Sequence, residues 1–170
     1  MIMSQLSLVL DSSLLIRDEQ GRYAPATAEQ ILAAARQVID QKIQRGAAFT
    51  SPELVKDYLI TKLAGFEHEV FGALFLDAKH RLIQYVEMFR GTIDCASVYP
   101  REVVKEALRL NAAAVIYAHN HPSGNPEPSQ ADRSLTQRLK EALALVEVRS
   151  LDHIIVAGQR TVSFAEEGLL

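Results

Sequence analysis

Residues 112–118 read AAAVIYA, an unbroken apolar run that follows a helical pattern and leads directly into two histidines. Such a run cannot lie on a half-exposed surface; it requires a strand covered on both faces, as at the centre of a sheet with helices above and below. The flanks agree. Pro100 opens PREVVKEALRLN, with Val103, Val104, Ala107 and Leu108 at helical spacing, and Ser129 begins a second helix carrying Leu135, Leu139, Ala142, Leu143 and Val146. The pattern predicts an α/β fold in which a mixed sheet is flanked by helices.

The remaining segments fit that frame. From Glu69, EVFGALFLDAKHRLIQYVEMFRGTI reads as two strands joined by a turn at Asp77-Ala78-Lys79-His80, and VRSLDHIIVAG pairs with RTVSFAE around Gly158-Gln159. Upstream, Thr50 or Ser51 caps a helix with Pro52 in its first turn and Leu54, Tyr58, Leu59 and Leu63 on its apolar face. Thr27 and Gln30 form a capping-box pattern before another helix, with Ile31, Leu32, Ala35, Val38, Ile39 and Ile43 recurring up to Gly46. A hairpin turning at Gln20-Gly21 precedes it. The small-residue joint near Ala47 divides the chain into an N-terminal extension, 1–47, and a main domain, 48–170.

Composition narrows the function classes. A chain of 170 residues buries a core without disulfides or a structural metal. Cys95 is the only cysteine, which excludes an intrachain disulfide and any cysteine-based zinc cluster and suits a reducing cytoplasm. A net charge of −3 offers no global attraction to phosphate backbones, so nucleic acid is not the favoured partner. The first residues lack a basic region, and Asp11, Ser12 and Ser13 interrupt their apolar stretch, so neither a signal peptide nor a membrane helix is expected.

The chemistry concentrates in AHNHPSGNPEPSQAD, residues 118–132. In an extended segment, side chains two apart share a face, so His119 and His121 can grip one ion while Asn120 points away. Pro122 ends the strand, and three prolines with Gly124 stiffen the loop. Ser129 caps the next helix and Asp132 falls at its third position, where the helix dipole favours the charged carboxylate that a metal needs. Two imidazoles and a carboxylate leave a tetrahedral Zn²⁺ one open position, the arrangement of catalytic rather than structural zinc. The competing reading is a capping box beside two turn histidines.

These residues also carry a resemblance. HNHPSGNPEPSQAD resembles the JAMM motif of MPN-type metalloproteases, and PREVVKEAL, AHNHPSG, PSQAD, LDHIIV and VSFAE, in that order, are similar to the RadC family over roughly Thr50 to Leu170. The resemblance implies a three-layer, cytidine-deaminase-like sandwich with His119, His121 and Asp132 as ligands of one zinc ion and Ser129 as a helper of the tetrahedral intermediate. It places the general base on Glu69, which spacing alone does not separate from Glu67, Glu87 or Glu102; Glu67, which would share its face if the strand started that early, is the second choice. It implies hydrolysis of a peptide or isopeptide bond in a peptide or protein-conjugate substrate. Longer family members carry an N-terminal helix-hairpin-helix region that binds DNA, whereas here the first forty-odd residues read as a hairpin and one helix.

A DNA-associated role in repair or for a mobile element, using the same metal site, is the alternative function, and a non-catalytic scaffold ranks below it. A zinc deaminase is excluded by the absence of its H-x-E and P-C-x-x-C signatures. His153, beside Asp152 on an apolar strand, reads as a buried histidine satisfied by a neighbour, with an outer role at the metal as the lesser reading. Cys95 reads as a small packed residue, and Arg101, Lys105 and Arg109 as a solvated basic stripe.

Overall fold

The computed structural model of the chain describes residues 14–17, 19–42, 49, 51–91 and 98–170. In chain order these form β1 (Leu15–Arg17), β2 (Tyr23–Pro25), α1 (Ala28–Lys42), α2 (Pro52–Leu63), β3 (Val70–Leu76), β4 (Leu82–Arg90), α3 (Pro100–Arg109), β5 (Ala114–Asn120), α4 (Gln130–Ala144), β6 (Arg149–Ala157) and β7 (Arg160–Ser163). β1 and β2 make a small exposed hairpin, and the other strands form one five-stranded sheet in the order β4-β3-β5-β6-β7. The predicted joint at Ala47, the helix end at Gly46 and Cys95 lie outside the described residues.

The apolar run does form the central strand, paired antiparallel with β3 and parallel with β6. Every residue of β5 and of β3 is buried. The strand is shifted two residues along from the run: it starts at Ala114 and keeps His119 and Asn120 within it. Ala113 N–H still bonds Leu76 O at 2.8 Å, but Ala112 belongs to the turn closing α3. The ladder with β6 thus reaches past the point where hydrophobicity alone would end the strand.

Alternation along β3 and β5 divides the core into two layers. On one face Leu74, Leu76, Ile116 and Ala118 pack with Val55, Leu59 and Leu63 of α2. On the other, Phe71, Phe75, Val115 and Tyr117 pack with Val103 and Ala107 of α3 and Leu139 and Leu143 of α4. The result is the helix-sheet-helix sandwich expected. Truncating a fully buried leucine such as Leu59 or Leu139 costs about 2–5 kcal/mol in such settings.

Helix starts follow local chemistry. Ser51 caps α2, with Pro52 in its first turn, and the reciprocal Thr27–Gln30 bonds close a capping box on α1 at 2.9 and 3.2 Å. Three predicted core positions are displaced: Leu54, Val38 and Leu108 are exposed, and Val55 takes the inward position in α2. On each helix they flank the buried stripe, where periodicity admits a neighbour that geometry turns outward. α1 docks on α2 through polar groups: Asp40 bonds Lys62 Nζ at 2.9 Å and Tyr58 Oη at 3.2 Å, and the Arg36 guanidinium donates to the Lys62 and Ala64 carbonyls while stacking over Phe66.

Gly72 lets the Tyr85 ring of β4 cross β3, because a Cβ there would meet ring carbons at 2.7 Å. The turn between β3 and β4 is held by Asp77, whose Oδ1 accepts from Lys79 and Arg81 N–H at 2.8 and 2.9 Å.

Candidate metal centre

The parallel pairing of β5 with β6 requires a crossover, and that crossover is the proline-rich loop followed by α4. Its geometry brings the end of a central strand and the start of a helix to one spot. His119 and His121 both face the α4 side. His121 lies just beyond β5, yet its N–H donates to Val156 O at 2.8 Å, so the backbone remains tied to β6. The loop is tied as well, since the Arg160 guanidinium donates to the Gly124 carbonyl.

Asp132 is positioned by the predicted capping box. Ser129 N–H donates to Asp132 Oδ2 at 2.8 Å, Asp132 N–H donates to Ser129 Oγ at 3.1 Å, and the Ser129 hydroxyl donates to Oδ2 at 2.6 Å. Such a cap stabilises a helix by about 1 kcal/mol. The two readings of this stretch are therefore not rivals: the cap orients the carboxylate toward the histidines.

His119 Nε2 lies 2.9 Å from His121 Nε2 and 3.3 Å from Asp132 Oδ1, and His121 Nε2 lies 3.7 Å from Asp132 Oδ2. Atoms bound 2.0–2.1 Å from one tetrahedral centre are about 3.3 Å apart, so this triangle has the dimensions of one small ion's coordination face. The donor set fits as well. His121 Nδ1 lies 2.7 Å from the Asn125 carbonyl, which can only accept, so Nδ1 carries the proton and Nε2 presents a lone pair. Burial opposes the Asp132 charge, but the adjacent His119 and His121 rings and the Ser129 hydroxyl outweigh it and hold the carboxyl far below the usual range. The Asp132 carboxylate beside it in turn raises His121 above its ordinary value, against burial. Lone pairs and negative charge converging on one point call for a cation, and His119, His121 and Asp132 are the group among the described residues whose ligand atoms could hold a metal ion, all within 4.8 Å of one another. The set suits zinc and other divalent ions that accept imidazole.

Glu69 immediately precedes β3. The antiparallel register pairs Phe71 with His119, so two residues back Glu69 falls opposite His121 on the same face. Its charge contributes to raising His121, which places the carboxylate within electrostatic reach of the triangle. Its carbonyl accepts from Gly91 N–H at 2.8 Å, anchoring the backbone to the residue that follows β4. Glu67 lies in a bend before the strand and is exposed, so it does not share that face. Glu87 bonds Arg90 and Glu102 bonds Lys105, each at 2.9 Å, away from the triangle.

Two residues near the centre carry more than the sequence suggested. The Asn120 side chain turns away from the histidines and clasps the chain on both sides of Glu69, donating to His68 O at 3.0 Å and accepting from Val70 N–H at 2.7 Å. His153 is wholly buried and contacts a candidate ligand, with Nε2 2.8 Å from His119 Nδ1 and Nδ1 2.6 Å from Thr136 Oγ1. Burial pushes its pKa well below the ordinary value, so the ring is neutral. The one sequence signal for Thr136 is a hydroxyl one helical turn beyond the candidate ligand Asp132. Arg101 and Lys105 pair with Glu102, and Arg109 with Glu106, making the basic stripe a face of local ion pairs.

Residues 49–169 match the family described as RadC-like JAB domain. The chain belongs to that family. A UPF0758 protein of Vibrio cholerae serotype O1 is 61% identical over 141 residues, covering 83% of this chain and 89% of that protein. UPF0758 proteins of Shewanella baltica (strain OS185) and Methylibium petroleiphilum are 56% and 60% identical over 147 and 140 residues, or 85% and 82% of this chain. This chain spans 65% and 63% of those two proteins' lengths. No helix among the described residues is long and apolar enough to cross a membrane.

Proposed function

We propose that the protein is a zinc-dependent hydrolase of peptide or isopeptide bonds, with His119, His121 and Asp132 holding the ion. The observation that carries this reading is the convergence of two imidazole Nε2 atoms and one ionised carboxylate within 4.8 Å at the open end of the sheet. Membership of a JAB-domain family, whose members are commonly hydrolytic, supports it. The bound ion would supply Lewis acidity, lowering the pKa of water to about 7 and polarising a carbonyl.

The chain's own residues supply the rest. Glu69, across from His121, takes a proton from the attacking water and returns it to the leaving amine. Ser129 turns its hydroxyl from Asp132 Oδ2 toward the oxyanion as charge develops there. The domain doing this is residues 48–170, with 1–47 as an extension, and the single cysteine suits a cytoplasmic setting.

The test is turnover of peptide and isopeptide substrates by the zinc-loaded protein. Glu69→Gln should reduce kcat at least a hundredfold while leaving zinc content intact, and His119→Ala should lose the zinc itself. A protein that binds no zinc, or a Glu69→Gln variant as active as the parent, would overturn the reading.

A further inference from the structure

We propose that His153 and Thr136 are positioning residues that lock His119 in the tautomer carrying its proton on Nδ1, so that Nε2 is the atom offered to a metal. The inference deepens the metal-site reading and rests on it for its purpose, though not for its geometry.

The direction of the proton chain follows from its last member. Thr136 Oγ1 lies 2.6 Å from the Asp132 backbone carbonyl and 2.6 Å from His153 Nδ1. A carbonyl has no proton to give, and two oxygens at that distance repel unless a hydrogen lies between them. The single Thr136 hydroxyl proton is therefore directed to Asp132 O. His153 Nδ1 must then donate to Thr136 Oγ1, and a ring wholly buried among Phe71, Tyr117 and Phe164, with no carboxylate at either nitrogen, carries a single proton, so its Nε2 presents a lone pair. The contact from His153 Nε2 to His119 Nδ1, 2.8 Å, is made only if His119 Nδ1 holds the proton. Reversing the chain would put the His119 proton on Nε2, facing the Asp132 carboxylate and blocking the ligand atom.

The ring doing this has little freedom to turn. His153 stacks on Phe164 at 4.8 Å between ring centroids and meets Phe71 and Tyr117 edge-on at 5.7 and 5.8 Å. Its backbone N–H donates to Asp152 Oδ1 at 2.7 Å and its carbonyl accepts from Phe164 N–H at 2.9 Å. The chain begins and ends on candidate ligands: the main-chain carbonyl of Asp132 sets the polarity that reaches His119 through two side chains. Outer partners of metal-bound histidines commonly fix the ring in this way, and losing one typically lowers metal affinity about 10–100-fold.

Two measurements on the whole chain test the proposal. Long-range proton–nitrogen NMR of the metal-free protein, at a pH alkaline enough to keep the imidazoles neutral, reads the tautomers directly. His119 and His153 should both show the Nδ1-protonated pattern, and an Nε2-protonated His119 would overturn the relay whether or not the protein binds zinc. Competition of Zn²⁺ against a chromophoric chelator then reads affinity. Thr136→Val, which keeps the shape and removes the oxygen, and His153→Phe, which keeps a ring and removes both nitrogens, should each weaken zinc about 10–100-fold. His153→Gln can accept from His119 while donating to Thr136 and should recover most of the loss. Unchanged affinity in Thr136→Val, or a Gln variant as weak as Phe, would overturn the proposal. If the tautomers are as stated but the parent binds no zinc, the hydrolase reading fails and the relay stands.

Discussion

Asn120 accepts the Val70 N–H at 2.7 Å through a side chain that is almost wholly buried. The same amide donates to His68 O, so one residue between the two candidate histidine ligands fastens the segment that presents Glu69. Asn120→Ala leaves a buried donor and an acceptor unpaired and should destabilise the fold by about 1–3 kcal/mol in urea unfolding. Asn120→Asp keeps the acceptor toward Val70 but sets a buried carboxylate oxygen against the His68 carbonyl, so near neutral pH it should destabilise at least as much as alanine. A neutral alanine variant would show that the clasp contributes nothing.

Zinc should stabilise the native state by mass action. At a free concentration a hundred times its Kd, a ligand that binds only the folded chain adds about 2.7 kcal/mol, which for a chain of this size is a rise in Tm of roughly 5–10 °C. Calorimetry with Zn²⁺ and then with chelator should show the rise and its reversal, and Asp132→Asn should abolish both. A rise preserved in Asp132→Asn would place the ion elsewhere.

Tyr85 presents the opposite situation. Its hydroxyl is buried and has no hydrogen-bond partner among the described residues, while its ring packs edge-on against Tyr58 and lies under Lys62 Nζ. Tyr85→Phe removes the unpaired oxygen and keeps the ring, so stability should hold or rise by up to about 1 kcal/mol. A clear loss in thermal unfolding would mean that the hydroxyl is bonded in solution.

Asp152 gives the fold a pH dependence of defined sign. Burial raises its carboxyl above the ordinary value, against hydrogen bonds from Ser163, Ala165 and His153. The folded state thus binds that proton more tightly than the unfolded chain, where aspartate titrates near about 3.9. The stability this adds is whole below the unfolded value and is lost as pH rises through the folded one. Asp152→Asn can keep the bonds from the two backbone N–H groups and donate to Ser163 Oγ. Its stability relative to the parent should improve steadily as the pH is raised from about 4 toward neutrality. A difference that stays constant across that range would remove Asp152 as the source.

Much of this architecture was legible because its causes are local. Seven apolar residues in sequence require a doubly covered strand, and Pro52, Pro100 and the Ser129–Asp132 pair mark helix starts by chemistry confined to one turn. The same locality made His119, His121 and Asp132 visible, since strand alternation and a capping position aim them. What escaped depends on contacts between distant segments. Asn120 meets Val70 and His68 across fifty residues or more, and His153 meets His119 across 34. The outward turn of Leu54 and Leu108 escaped because helical period names a stripe without saying how wide the neighbouring surface is.

The crossover from β5 to α4 packs all three candidate ligands into fourteen consecutive residues, 119–132, while His153 of β6 and Arg160 of β7, which brace that segment, come from outside it. A peptide of that segment would carry every ligand and the Ser129 cap, but not the sheet that holds them together. Metal affinity in this protein is then a reporter of sheet assembly: a remote substitution that loosens β6 against β5 would first register as weaker ion capture, before any loss of helical signal.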